Sequence, residues 1–251
     1  MSMTIEPLEW DSLLFGWPVG QLMIHAPLDD AGSARQLREQ LLDARRYRLV
    51  YVLAEGHWGD SLEQYCDHLP APARCYDRKV VLAKVINPTG PAVQPAWQII
   101  RYQQPHVPDS LLQLALASGE YSRFRLDPLL QEFYEPMYRT WIEKSVSGQL
   151  ADDVLVRFEQ QEIVAFVTVS KIDGACGQIG LMAVSPSHRG RGLATSLLRA
   201  ADRWYEEREL TRATVKTQLA NTPACRLYEK AGYRVETITT IYHYWNPCRA
   251  D

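Results

Sequence analysis

The sequence predicts an α/β protein with a mixed, mostly antiparallel central sheet, preceded by a smaller α/β N-terminal domain. Three observations lead there. A strand-like stretch ending at Val184 passes through a basic, glycine-containing turn into an amphipathic helix, whose apolar residues Leu193, Ala194, Leu197, Leu198, Ala201, Trp204 and Tyr205 recur at helical spacing. Upstream, VLVRFE and IVAFVTVSKI flank a QQE turn and read as a hairpin. Between Asn87 and Pro95 the chain carries three prolines and a glycine in nine residues, which neither a helix nor a central strand accommodates. The domain boundary is placed there, giving residues 1–90 and 96–248.

Taken in order, Val19 to Ile24 reads as a strand behind an aromatic loop of Trp10, Phe15, Gly16, Trp17 and Pro18. Ala31 to Arg46 follows as a helix with Leu37, Leu41 and Ala44 on one face. Leu49 to Ala54, LVYVLA, is nearly continuous apolar sequence, the mark of a buried parallel strand. A helix around Leu62 to Leu69 and a strand near Lys79 to Val85 complete a βαβαβ-like domain. After the boundary, Trp97 to Tyr102 restarts as a strand and Asp109 to Ser118 as a helix. Ser122 to Pro128 is a polar, basic stretch, and the helix from Phe133 to Ser145 is expected to become regular at Pro136. The hairpin, the Asp173-Gly174 turn and the strand ending at Val184 make an antiparallel meander. Ala213 to Gln218 alternates as a strand, and Thr222-Pro223 is expected to open a helix as its N-cap and first residue. That helix closes at Gly232, before a final strand in TITTIYHYW.

Composition narrows the function. A hydrophobic content of 46% with 23% charged residues is that of an ordinary soluble globular protein. A net charge of −3 gives no long-range attraction to nucleic acid or to an anionic membrane, so any anion has to be held locally. Five cysteines without CxxC spacing indicate reduced thiols in a cytoplasmic protein, and the histidines lack HxxxH spacing, so no metal is expected. No leader pattern or membrane-length apolar run is visible.

The local anion site is the turn Arg189-Gly190-Arg191-Gly192-Leu193-Ala194, an RxxGxA pattern continuing into Thr195. Glycine lets backbone approach a bulky anion, and the first amides of a helix have no intrahelical acceptor, so they can face phosphate oxygens. A Walker loop would need GxxxxGK followed by Ser or Thr, and a dinucleotide loop GxGxxG; neither occurs. The turn is read as a pyrophosphate cradle. Taken by itself, it leaves an ordinary glycine-containing turn before a surface helix as the less favoured alternative.

The strand, RxxGxA turn and helix resemble the acyl-CoA signature of the GNAT N-acetyltransferases, and Asn221 to Gly232, NTPACRLYEKAG, resembles that family's segment with an Asn at its head and a Tyr seven residues later. The resemblance implies an acetyl-CoA co-substrate. It implies that Met182, Ala183 and Val184 offer backbone donors to the acetyl carbonyl, that Asn221 meets the pantetheine arm or positions its helix, and that Tyr228 reprotonates the leaving thiolate. A tyrosine near about 10 is a slightly weaker acid than a thiol near about 8.5, a modest mismatch. Many members carry a Glu or Asp on the strand before the cradle; GQIGLMAV has none. Asp77 is the remaining candidate for proton acceptor, from the N-terminal domain.

Three longer stretches, IEPLEWDSLLFG, SRFR and YRTWIEKSVSG, resemble the N-acetyltransferases of nucleotide-linked 4-amino-deoxysugars, such as those acting on dTDP-4-amino-4,6-dideoxygalactose (dTDP-fucosamine) in enterobacterial common antigen synthesis. A nucleotide sugar carries a pyrophosphate, and Arg123 and Arg125 could meet it or the sugar hydroxyls with forked donors, the alternative being a salt-bridged surface loop. The resemblance extends to a possible homodimer through the tail strand. A GNAT enzyme acting on protein or other small-molecule amines, and a non-catalytic acyl-CoA sensor, are the alternatives the residues leave open.

Overall fold

The computed structural model describes residues 4–24, 31–56, 62, 69, 71–86 and 97–247, without the side chains of 31 and 33. The proline-rich stretch from 87 to 95, most of the helix expected over 62–69, and Cys66 and Cys248 lie outside the described residues. Cys75, Cys176 and Cys225 are free thiols. No helix among the described residues is long and apolar enough to cross a membrane.

The chain forms two compact units, residues 1–80 with 237–251, and residues 81–236. In the first, β1 (Ile5–Pro7) pairs antiparallel with β2 (Val19–Ile24), and β2 pairs parallel with β3 (Leu49–Glu55) through α2 (Ala31–Asp43). The aromatic stretch expected as a loop contains α1 (Glu9–Phe15), which Gly16 ends in the left-handed region at φ 75°. The run LVYVLA is buried throughout as β3, because Leu37 and Leu41 of α2 and Tyr242 and Tyr244 share its core cluster. Those tyrosines belong to β10 (Arg234–Trp245), whose residues Thr239–Trp245 pair antiparallel with Glu55–Leu49 of β3. The sequence boundary kept residues 96–248 together, whereas backbone bonding to β3 groups the tail strand with the first unit. The division also falls within β4 (Arg74–Val85).

The second unit carries the strand order β9-β8-β7-β6-β5. Its strands are β5 (Ile100–Arg101), β6 (Asp153–Glu159), β7 (Glu162–Lys171), β8 (Cys176–Val184) and β9 (Arg212–Gln218). The hairpin turns on Gln160 and Gln161, both at positive φ, so Glu159 faces Glu162 across a two-residue loop. Ile163 to Val169 is buried without alternation, because α3 (Asp109–Ser118) and α6 (Leu193–Glu206) both pack on β7 and β8. The indole N–H of Trp204 and the guanidinium of Arg208 both donate to Asp153, tying the far end of α6 to β6. A short helix α4 (Arg123–Leu126) stands where a polar stretch was expected, and α5 spans Gln131–Val146. Pro136 sits inside α5 rather than at its start. The turn before it is already helical, with Phe133 N–H donating to Leu130 O at 3.0 Å, and buried Met137, Tyr138 and Ile142 hold the segment after it. Of the strand expected over Trp97 to Tyr102, only β5 forms.

Gly119, which follows α3, lies under the ring of Tyr138: an added Cβ would stand 2.0 Å from Cζ. Replacing Gly119 by Ala is expected to cost about 1–3 kcal/mol through overpacking, read as a Tm lower by several degrees in thermal unfolding; an unchanged Tm would contradict this packing.

Candidate active site

The site begins where β8 leaves its neighbour. β8 and β9 pair in parallel from Cys176–Arg212 to Ile179–Val215, and no further. On its other side β8 stays with β7 up to Val184–Ala165, past an irregularity between Val167 and Val169. There the N–H of Leu181 donates to Thr168 Oγ1 at 2.8 Å, and a Cβ on Gly180 would come within 2.7 Å of that oxygen. The glycine lets the strand bend against Thr168 without leaving a buried amide unpaired. Since Leu181 and Ser185 N–H both donate towards β7, strand alternation turns the amides of Met182 and Val184 the other way, into the gap left by β9.

Beyond Val184 a single 3-10 turn, Pro186–His188, leads into the cradle. Gly190 and Gly192 adopt φ of 75° and 80°, a conformation that favours glycine, and a Cβ on either would meet nothing within 4 Å. Gly192 is the N-cap of α6 and supplies no side-chain acceptor. Among the described residues, the N–H groups of Gly190, Arg191, Gly192, Leu193, Ala194 and Thr195 have no acceptor. Six amides and a helix N-terminus facing open space fit a diphosphate. Arg189 turns its Nε back to Val184 O at 3.3 Å, and Trp97 donates to Arg191 O at 2.9 Å, so the turn is braced from both ends. The side chain of Leu193 is buried; only its amide can serve a ligand.

A cavity of about 350 Å³ opens in the gap. Its wall takes Met182, Ala183 and Val184 from β8, Arg189 and Ala194 from the cradle, and Asn221, Pro223, Ala224, Leu227 and Tyr228 from the segment after β9. Asn221 caps α7 (Thr222–Lys230), its Oδ1 accepting from Ala224 N–H at 3.3 Å. The expected N-cap, Thr222, is instead the first helical residue, since the longer Asn side chain reaches the amide three residues on. With Oδ1 so engaged, the Asn221 amide nitrogen is left to the cavity. Tyr228 is buried, and its hydroxyl rests 3.9 Å from Met182 Sδ. Burial, with a smaller contribution from Cys225, pushes its pKa well above the usual tyrosine range, so it holds its proton throughout the neutral range.

The structure does not bring every predicted residue into this wall. Asp77 is buried on β4 in the first unit, whereas the wall is drawn entirely from the second. Arg123 and Arg125 sit on α4 with their guanidinium carbons 4.3 Å and 5.4 Å from the ring centres of Phe124 and Tyr134; neither lines the cavity. Sequence reasoning missed the opposite wall, Ala117, Ser118, Glu120 and Tyr121 at the end of α3. The available signal was the Gly119 that ends this helix, separated from SRFR by two residues.

The pattern of the Acetyltransferase (GNAT) family matches residues 118–233, which span α3's end, the cradle and Tyr228. The chain is also similar to dTDP-fucosamine acetyltransferase of Escherichia coli O6:H1 (strain CFT073), at 31% identity over 245 residues covering 96% of each chain. The protein belongs to the GNAT acetyltransferase family. It is further similar to the spore coat polysaccharide biosynthesis protein SpsD of Bacillus subtilis (strain 168), 28% identical over 143 residues, 57% of this chain and 49% of that one. Among solved structures, a GCN5-related N-acetyltransferase from Sphaerobacter thermophilus superposes with a TM-score of 0.54 at 20% identity, covering 93% of this chain and 75% of the other. At that identity the likeness is one of fold.

Gly192→Ala is expected to weaken acetyl-CoA binding by about tenfold, because a left-handed Ala costs roughly 1–2 kcal/mol and relaxing it turns the cradle amides aside. Isothermal titration checks this, and an unchanged dissociation constant would separate the cradle from the cofactor.

Proposed function

We propose that the protein transfers the acetyl group of acetyl-CoA to the 4-amino group of a nucleotide-linked 4-amino-4,6-dideoxysugar, dTDP-borne, in the cytoplasm and for cell-surface polysaccharide synthesis. The observation that carries the proposal is the cavity between β8 and α7, which joins unpaired cradle amides to a buried, protonated tyrosine. The substrate class rests on the similarity to dTDP-fucosamine acetyltransferase along nearly the whole chain.

In this reading the diphosphate of coenzyme A lies on the amides from Gly190 to Thr195, where Arg189 and Arg191 add positive charge. The pantetheine arm follows β8 in place of the missing β9 ladder, with the Asn221 amide as a further donor. The thioester carbonyl then meets the Met182 or Val184 amide, which is fixed before reaction and therefore stabilises the developing oxyanion without reorganising. The amine nitrogen attacks the carbonyl carbon, the C–N bond forms, and the C–S bond breaks with its electron pair passing to sulfur. Tyr228 gives that sulfur its proton. The raised pKa of Tyr228 makes it a reluctant acid in the resting site and ensures that the proton is present when the thiolate forms. Arg123 and Arg125 are assigned to the nucleotide sugar, α4 following directly on the Glu120-Tyr121 wall.

Thiol release from acetyl-CoA across a panel of nucleotide amino sugars tests the substrate. Turnover is expected with the 4-amino sugar and none with its 4-hydroxy analogue; turnover on peptides alone would overturn the proposal. Tyr228→Phe is expected to lower kcat by at least about tenfold while leaving acetyl-CoA affinity unchanged.

A further inference from the structure

Acyl transfer to an amine leaves a positive charge on nitrogen until a proton departs, and an acceptor must stand within hydrogen-bond reach, directly or through one water. The β8 segment of the site has no carboxylate. Several acids near the working elements of the second unit are already engaged, and Glu229, which follows Tyr228 on α7, does not line the cavity. Glu159 meets His188 Nε2 at 2.9 Å, and Asp202 holds Lys84 Nζ at 2.6 Å. Asp153 takes Trp204 and Arg208, and the buried Asp127 accepts from Leu129 N–H at 2.9 Å. Glu120 differs from these in both respects. Among the described residues it makes no hydrogen bond or ion pair, and it is the one carboxylate in the lining of the cavity that also holds Met182 and Tyr228.

Its backbone is firmly placed. Ser122 N–H donates to Gly119 O at 2.9 Å across the turn, Tyr138 covers Gly119, and the Tyr134 hydroxyl bonds Leu116 O one turn earlier in α3. Glu120 itself is exposed, so its carboxylate keeps water contact and the freedom to swing towards a bound amine. A fixed backbone with a free acidic side chain, in the wall opposite α7, suits a group that collects a proton and passes it to solvent.

We propose that the Glu120 carboxylate accepts the proton lost by the substrate amine, directly or through one water, as Tyr228 delivers its own to the thiolate. This rests on the acetyl-transfer reading above. One proton leaves nitrogen for Glu120 and one leaves Tyr228 for sulfur; transfer of the first to Tyr228 through solvent restores both groups, and the products are the amide and the free thiol.

The test is chemical rescue. Glu120→Ala and Glu120→Gln are expected to lower kcat at saturating substrate by about 100-fold, with acetyl-CoA affinity within twofold of the parent. Added formate or imidazole should restore Glu120→Ala at least tenfold in a concentration-dependent way, and Glu120→Asp should retain intermediate activity. Glu120 variants with kcat within threefold of the parent, or a loss confined to KM, or a loss that no small base repairs, would overturn the assignment. So would an Asp77→Asn variant whose lost turnover imidazole restores, which would move the acceptor to Asp77. If the unmodified enzyme acetylates some other amine and no nucleotide sugar, the substrate reading falls, and the same rescue run on that amine still decides the role of Glu120.

Discussion

The parting of β8 from β9 after the Ile179–Val215 pair is the constraint on which the site depends. A parallel ladder that continued would satisfy the Met182 and Val184 amides internally and close the gap where the cavity lies. Because it stops, these amides need an acceptor that the described residues do not supply, and the same holds for the cradle amides beyond them. Orphaned backbone donors at a helix start are ordinarily met by a side-chain cap or by water. Here the cap position is Gly192, which has neither a side chain nor a crowding Cβ.

The surrounding packing keeps the split open. β7 is buried on both faces and stays paired with β8 to its end, so the strand is held from one side while free on the other. Thr168 takes up the one amide that the bend in β8 would have stranded. On the far wall, Tyr134 and Tyr138 fix the end of α3, and the apolar face of α6, with Leu197, Leu198 and Trp204 buried, seats the cradle helix on the sheet. A rigid frame matters for this chemistry because donors aimed in advance contribute most where no reorganisation accompanies the reaction.

Tyr228 illustrates how burial shapes an acid. A surface tyrosine at its head-to-tail distance from Asn221 would titrate in its usual range; in the cavity, loss of water penalises the phenolate and raises the pKa. The neighbouring Met182 sulfur is a weak acceptor and does not offset that loss. The hydroxyl therefore keeps its proton until a stronger base, such as a thiolate formed beside it, draws on it.

Much of this was legible in the sequence because it is written in local periodicity. The Val154–Ile172 hairpin, the apolar stripe of α6, the RxxGxA turn and the Asn221-to-Tyr228 spacing each lie within one or two elements, where side-chain alternation and backbone chemistry decide the outcome. Three things were not legible there, the first settled by local geometry and the other two by tertiary packing. Asn221 rather than Thr222 caps α7, a matter of which oxygen reaches an amide. β10 joins β3 from nearly the other end of the chain, since strand partners are chosen by complementary burial rather than by proximity in sequence. Glu120 joins the cavity lining from a turn more than a hundred residues before Tyr228, because the wall of a site is assembled by packing across the sheet and no periodicity within a segment encodes which distant turn will face it.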